Sequence, residues 1–168
     1  VLLVALLAAS HAVARDWPRW RGPNGNSVST ETGLMNSWSP KAPARAWQVS
    51  GIGEGYSSVV IVDGFVFTMG RIGKDVRCFA FDIDSGKRRW ATTIGTTSRN
   101  VMSTPTVHDG LVYALDPDGE LVCLRANDGK IVWRRSFLAE FGGRLMSGRG
   151  YGESPLVDGD RLICTPGG

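Results

Sequence analysis

Ala80-Phe81-Asp82-Ile83-Asp84-Ser85-Gly86-Lys87-Arg88-Arg89-Trp90 (AFDIDSGKRRW) is followed 43 residues later by Cys123-Leu124-Arg125-Ala126-Asn127-Asp128-Gly129-Lys130-Ile131-Val132-Trp133 (CLRANDGKIVW). Each stretch is the end of an apolar run, a tight Gly-bearing turn, and a return run closed by tryptophan. Trp47 lies the same interval before Trp90. A second marker keeps step: Val62-Asp63-Gly64, His108-Asp109-Gly110 and Val157-Asp158-Gly159 recur at intervals of 46 and 49. Self-similarity at this period is the signature of stacked supersecondary units, so the repeat governs the reading of every local motif.

Between the markers lie short apolar runs separated by turn residues, the pattern of strands. One unit reads as strands over 56–62, 65–69, 76–82 and 88–94. The next reads as 102–108, 111–115, 121–125 and 131–136, and a third starts at Ser154 and includes 161–164. Asp-Gly between two such runs is a strong hairpin signal, because both residues tolerate the positive φ of a type I′ turn. Four antiparallel strands in a meander form a blade with two uncovered faces, which must stack on neighbours. The pattern therefore predicts an all-β fold, a β-propeller of four-stranded antiparallel blades, present as a fragment of about two and a half blades against the typical four to eight. The blades are expected near 56–95, 102–137 and 154–168. A large ring at one fixed place in each fourth strand fills the space between blades, which assigns Trp47, Trp90 and Trp133, with Gly86 and Gly129, to structural blade docking. Trp47 reads as a fourth strand without its first three, suited to completing a last blade and removing an open edge.

The ends and the bulk composition narrow the class. The chain has 168 residues, 42% hydrophobic and 21% charged, an ordinary globular composition. Val1–Ala8 is apolar but too short to span a bilayer, and Ala12-Val13-Ala14 suits signal peptidase, so residues 1–14 read as part of a secretory signal peptide. The expected organisation is signal remnant 1–14, a lead-in segment 15–44, and propeller repeats 45–168. No cysteine stands near the cleavage site, so no lipid anchor is expected, and no transmembrane segment remains after signal removal. The expected location is periplasmic or secreted. Net charge is +3, with five Lys/Arg against two Asp/Glu in 15–50 and fourteen of each in 51–168. Without a basic stripe on the repeats, nucleic acid is not an expected partner. Cys78, Cys123 and Cys164 cannot all pair within one chain and have no metal-site spacing; His108 is the one histidine outside the signal.

The stretch Ala80–Trp90 resembles the A-x-D-x-x-[ST]-G-x-x-x-W tryptophan-docking repeat of pyrroloquinoline-quinone (PQQ) type β-propellers at every defined position. The second copy departs, with Cys123, Arg125 and Asp128 in the Ala, Asp and Ser/Thr places, while Gly129 and Trp133 hold. STPTVHDGLVYAL (103–115) and ESPLVDGDRLIC (153–164) are similar to the first two strands of the same repeat. The lead-in DWPRWRGPNGNSVSTETGL (16–34) looks like that of exported PQQ-like proteins of planctomycete-type bacteria. Two functions are implied. Some members of this family are quinoprotein alcohol or sugar dehydrogenases holding PQQ and Ca²⁺ on the propeller axis; others carry no cofactor and act as binding scaffolds in the cell envelope. The first reading here is an exported binding or scaffolding module rather than an enzyme, with no assignable cofactor, no catalytic residue and no metal ligand. Its partner would be an envelope protein or a small molecule. The alternative is a PQQ- and calcium-dependent dehydrogenase. The vicinal cysteines of many quinoprotein dehydrogenases do not occur.

Meander topology sorts the loops into two ends. The Asp-Gly and Ser-Gly turns lie at one end; the inter-blade links, with 70–75 and 116–120, lie at the other and carry the side chains able to hold a ligand. The candidates on that face are Glu54, Tyr56, Arg99, Asn100, Arg149, Tyr151 and Glu153. Glycine in GEGY and GRGY lets backbone approach a ligand, and tyrosine can stack or donate. The stretch DPDGE (116–120) shares some residues with a calcium loop but reads as a hairpin loop.

Overall fold

The computed structural model describes residues 16–35, 37 and 43–167; the signal-peptide reading over 1–14 lies outside the described residues. In chain order the elements are β1 (Val60–Val62), β2 (Phe65–Ile72), β3 (Asp75–Asp82), β4 (Arg88–Thr96), β5 (Thr106–His108), β6 (Leu111–Leu115), β7 (Glu120–Arg125), β8 (Ile131–Ser136), a one-turn helix α1 (Phe137–Phe141), β9 (Leu156–Asp158) and β10 (Arg161–Ile163). They form two four-stranded sheets, ordered β1-β2-β3-β4 and β5-β6-β7-β8, and a β9-β10 hairpin, all antiparallel. These are the blades of the expected propeller architecture.

The turns obey local chemistry. Asp63 and Gly64 have φ of 50° and 77°, Asp109 and Gly110 of 47° and 72°, as a type I′ turn needs. The third hairpin differs from expectation. Asp158 pairs with Arg161, so its turn is Gly159-Asp160, with Gly159 at φ 59° in the first central position, where a type II′ turn takes glycine. The loop expected at 70–75 is also absent: β2 and β3 stay paired out to Ile72 and Asp75 and turn on Gly73-Lys74. The helix was not foreseen, although Ser136 caps its start and Gly142, at φ 64°, ends it.

Apolar residues do not alternate along β2, because both faces of the first sheet are covered. One face packs with the second sheet in a shared core including Phe67, Met69, Trp90, Ile94, Val107, Val112, Val122 and Leu124. The other holds Phe79 and Phe81 against Trp47, Val49 and Ile52. The far face of the second sheet packs Leu115, Leu121 and Phe137 against Tyr151 and Leu162.

The repeated tryptophans reach forward onto the next turn. Trp90 donates its indole N–H to the Ala126 carbonyl at 2.8 Å, and Trp47 donates to Ile83 at 2.7 Å, each bond spanning 36 residues. A bulge at Arg89 in β4, repeated at Val132 in β8, immediately precedes the tryptophan in both sheets, where it re-aims the side chain. Trp133 is half-buried against Tyr113, ring centroids 6.1 Å apart.

The first strands of the blades adjoin one another, β1 beside β5 and β5 beside β9, so the sheets converge on that side. A hydroxyl ladder ties them: the Ser58 N–H donates to Thr104 Oγ1 at 3.0 Å, and the Thr104 N–H donates to Ser154 Oγ at 3.0 Å. Across the same side runs the lead-in. Trp17 and Ile61 exchange backbone hydrogen bonds at the free edge of β1, and the Val107 N–H of β5 donates to Pro18 O at 2.8 Å. Arg19 and Trp20 line a hollow with Ser154 and Leu156 beside β9. The lead-in segment thus covers the converging strand edges.

Candidate functional site

The links from β4 to β5 and from α1 to β9 meet the segment before β1 in an open cleft of about 760 Å³, lined by Tyr56, Ser98, Arg99, Asn100, Met102, Gly148 and Arg149. Four of the seven candidate residues therefore come together there. Tyr56 is held at the backbone by its N–H to Val101 O at 2.7 Å, next to a parallel bridge between Gly55 and Val101. Its side chain is 69% exposed. Asn100, Ser98 and Arg149 are exposed as well.

Arg99 has a different setting. Its guanidinium pairs with Asp118 and its Nε donates to Gly148 O at 3.2 Å, so it joins both links to the β6–β7 loop. Gly150, at φ 85°, allows the second link to approach Pro117 and Arg99 too closely for any side chain.

The remaining three candidates stand apart from the cleft. Glu54 pairs with Arg71 at 2.5 Å. Tyr151 is 7% exposed, packs edge-on against Phe137, and donates its hydroxyl to Pro166 O at 2.5 Å. Burial first, then Glu153, pushes its phenol above the usual range. Glu153 accepts the Thr165 N–H at 2.6 Å.

The chemistry of these carboxylates does not fit Ca²⁺, which wants six to eight oxygens around one point. Glu54 and Glu153 are engaged with separate partners. In the 116–120 loop, Asp116 Oδ1 accepts the N–H groups of Asp118 and Glu120 at 2.9 and 2.8 Å, Asp118 is paired with Arg99, and Glu120 faces Arg134 at 3.9 Å. Among the described residues no group of three or more His, Cys, Asp or Glu side chains is placed to hold a metal. The thiols are free, and burial pushes Cys78 up to about 12, Cys123 to about 11 and, with Glu153 adding, Cys164 to about 12. Thiols so far from ionisation are poor nucleophiles.

The hydroxyl ladder is the feature that the sequence reading passed over. Its signal was present in Ser57-Ser58, Ser103-Thr104-Pro105 and Ser154-Pro155, which recur with the blade period. Among the described residues no helix is long and apolar enough to cross a membrane.

The family model described as outer membrane protein assembly factor BamB matches residues 74–168. BamB from Moraxella catarrhalis is similar in structure with a TM-score of 0.53 at 24% identity, covering 70% of this chain and 32% of that one. A europium-containing methanol dehydrogenase gives 0.51 at 19% identity, over 70% of this chain and 21% of the other. The quinohemoprotein alcohol dehydrogenase ADHIIG from Pseudomonas putida HK5 gives 0.50 at 18%, over 69% and 17%. The chain thus spans less than a third of the BamB structure and less of the dehydrogenases. No curated protein matches it. At these identities the structures speak for the fold, which binding proteins and enzymes share. The match to the family model, together with blades joined by tryptophans that reach onto the following glycine turn, shows that the chain belongs to the PQQ-like repeat β-propeller family of BamB.

Proposed function

We propose that the protein is an exported binding or scaffolding module of the cell envelope whose partner is another protein, engaged through the face that bears the inter-blade links. The observation that carries this reading is the division of the two regions where a ligand could sit. The converging edges of β1 and β5 are hydrogen-bonded to the chain's own lead-in at Trp17 and Pro18, on the side we take as the propeller axis, where the resemblance implies that dehydrogenase members of the family hold PQQ and Ca²⁺. The link face instead offers an open cleft with exposed tyrosine, asparagine and arginine. The family description, an outer membrane protein assembly factor, supports a protein partner outside the cytoplasm.

The test has two arms on the same secreted sample. Calorimetric titration with PQQ and Ca²⁺, followed by dye-linked alcohol oxidation, should give neither saturable binding nor turnover. A photo-crosslinking amino acid in place of Tyr56, in producing cells, should trap a defined envelope protein. Tight PQQ binding with turnover, or no crosslinked product, overturns the proposal.

A further inference from the structure

Resting on the protein-binding reading above, we propose that the cleft between the links receives an acidic side chain of an extended polypeptide segment, with Arg149 as its charge partner and Tyr56 and Asn100 as orienting groups.

The first support is an imbalance of hydrogen-bonding groups. The side chains of Tyr56, Ser98, Asn100 and Arg149 all line the cleft, and none has a hydrogen-bond or ion-pair partner among the described residues. All can donate, and Arg149 can do nothing else. No Asp or Glu lines the cleft. None of the nearby acids pairs with Arg149: Glu54 pairs with Arg71, Asp118 with Arg99, and Glu153 turns to the Thr165 N–H. An unneutralised guanidinium among neutral donors selects a ligand that brings acceptors and negative charge.

The charge count then separates a carboxylate from a phosphate. Two arginines border the cleft, but Asp118 neutralises Arg99, which also donates to Gly148 O. One free guanidinium matches the single charge of a carboxylate, whose two oxygens suit its planar fork. A phosphate group near −2 would be left half-compensated.

Size and form argue for a polypeptide. The volume of about 760 Å³ lies within the range of pockets that enclose a small ligand, room for one long side chain and its flanking backbone. Asn100 presents an amide donor and acceptor together, the complement of a peptide unit. Met102 on the wall adds an adaptable apolar surface for the methylenes of glutamate. The site is also held in shape without any ligand, because Arg99 joins the two links to the β6–β7 loop and Gly150 permits their close approach.

The test is fluorescence anisotropy on the full chain with fluorescein-labelled hexaglutamate amide and, in parallel, hexaglutamine amide. Hexaglutamate should bind saturably and weaken with added salt; hexaglutamine should bind at least about tenfold more weakly. Arg149→Gln should lose about tenfold or more of the hexaglutamate affinity with an unchanged melting temperature, since the side chain is exposed and unpaired, and Arg149→Lys should recover part of it. Acetate should compete better than inorganic phosphate at equal ionic strength. Equal binding of the two peptides, no effect of Arg149→Gln, preferential displacement by phosphate, or no hexaglutamate binding would each overturn the acidic-ligand proposal. If the Tyr56 crosslink still traps an envelope protein in those cases, the binding-module reading stands while the acidic ligand falls.

Discussion

Trp90 of the first blade stands over Gly129 of the second, so close that a Cβ on the glycine would come within 2.5 Å of the indole. Trp47 stands in the same way over Gly86, at 2.7 Å. The ring therefore reaches past its own segment in each contact, Trp90 from the first blade and Trp47 from the irregular chain before β1, and the turn that ends a blade's third strand is the floor for the preceding ring. Thr92 Oγ1 strengthens the first contact by donating to Gly129 O at 2.7 Å.

Glycine substitutions test that arrangement. Gly129 and Gly110 have similar φ, 69° and 72°, but nothing lies within 4 Å of a Cβ at Gly110. Gly110→Ala should cost only the left-handed strain of about 1–2 kcal/mol, and Gly129→Ala a further ~1–3 kcal/mol for overpacking. Trp90→Ala should cost ~3–5 kcal/mol. Urea unfolding of the three variants checks the order; equal losses for the two glycines would refute the contact.

Blade two departs from the repeat at Arg125 and Asp128, and the structure shows how the turn survives. In blade one the Asp82 carboxylate accepts from Ser85 N and Oγ at 2.9 and 2.7 Å, which holds it below the usual carboxylate range. In blade two the roles are reversed: Asp128 accepts from Arg125 at 2.8 and 3.1 Å and from Lys130 N at 3.0 Å. Arg125→Asp alone should lower the melting temperature by placing two carboxylates together. Adding Asp128→Ser should restore it by rebuilding the turn of blade one. A double variant no more stable than the single one would show that the two turns are not interchangeable.

The fold was legible because its determinants are local and repeated. Asp-Gly turns, the Ser85-Gly86 turn and tryptophans in register each set a strand end or a docking point without long-range information. What escaped was set by neighbours. β2 and β3 stay paired out to Ile72 and Asp75, and Gly70 lets the 52–54 segment lie against β2, since a Cβ there would strike the Ile52 carbonyl. Tyr151 and Arg149 lie two residues apart in one Gly-rich link, yet one ring is buried against Phe137 and the other side chain opens on the cleft. No spacing rule separates them, because the difference comes from packing against α1 and the 116–120 loop. The lead-in was silent for the same reason, since its partners are backbone groups of β1 and β5.

The hydroxyl ladder should carry a measurable share of the cohesion between blades. Thr104 is 1% exposed and both accepts from Ser58 N and donates its own N–H to Ser154 Oγ. Thr104→Val keeps the volume but leaves the Ser58 N–H without its acceptor, which should cost ~1–3 kcal/mol. The exposed Thr93 on β4 makes the control, where the same change should be nearly neutral. Chemical denaturation of both variants would decide; a neutral Thr104→Val removes the ladder from the account.

Asp116 gives the protein a pH dependence of unusual sign. Its side chain is 1% exposed, and Oδ2 has no hydrogen-bond partner and lies against Gly95 of β4, where no Cβ would fit. Burial pushes its carboxyl up to about 6, Asp118 and Glu120 adding slightly, against the hydrogen bonds from their N–H groups. The charged groups around the seam are Asp118 and Glu120 on its own loop, Arg134 on β8 and Arg99 on the link. The folded state therefore keeps a proton that the unfolded chain releases near pH ~4. Its contribution to stability is full below that value and is lost as pH rises through about 6, the reverse of Asp82 and Asp128, whose lowered values cost stability as pH falls. Asp116→Asn keeps the Oδ1 acceptor and cannot ionise. Relative to wild type it should be similar at pH ~4 and more stable at pH ~7, by up to about 3 kcal/mol for a shift of two units. Urea titrations across that window give the difference, in which the other carboxylates cancel; parallel curves for the two proteins would mean that Asp116 ionises without cost in the folded state and that its buried oxygen finds water in the seam.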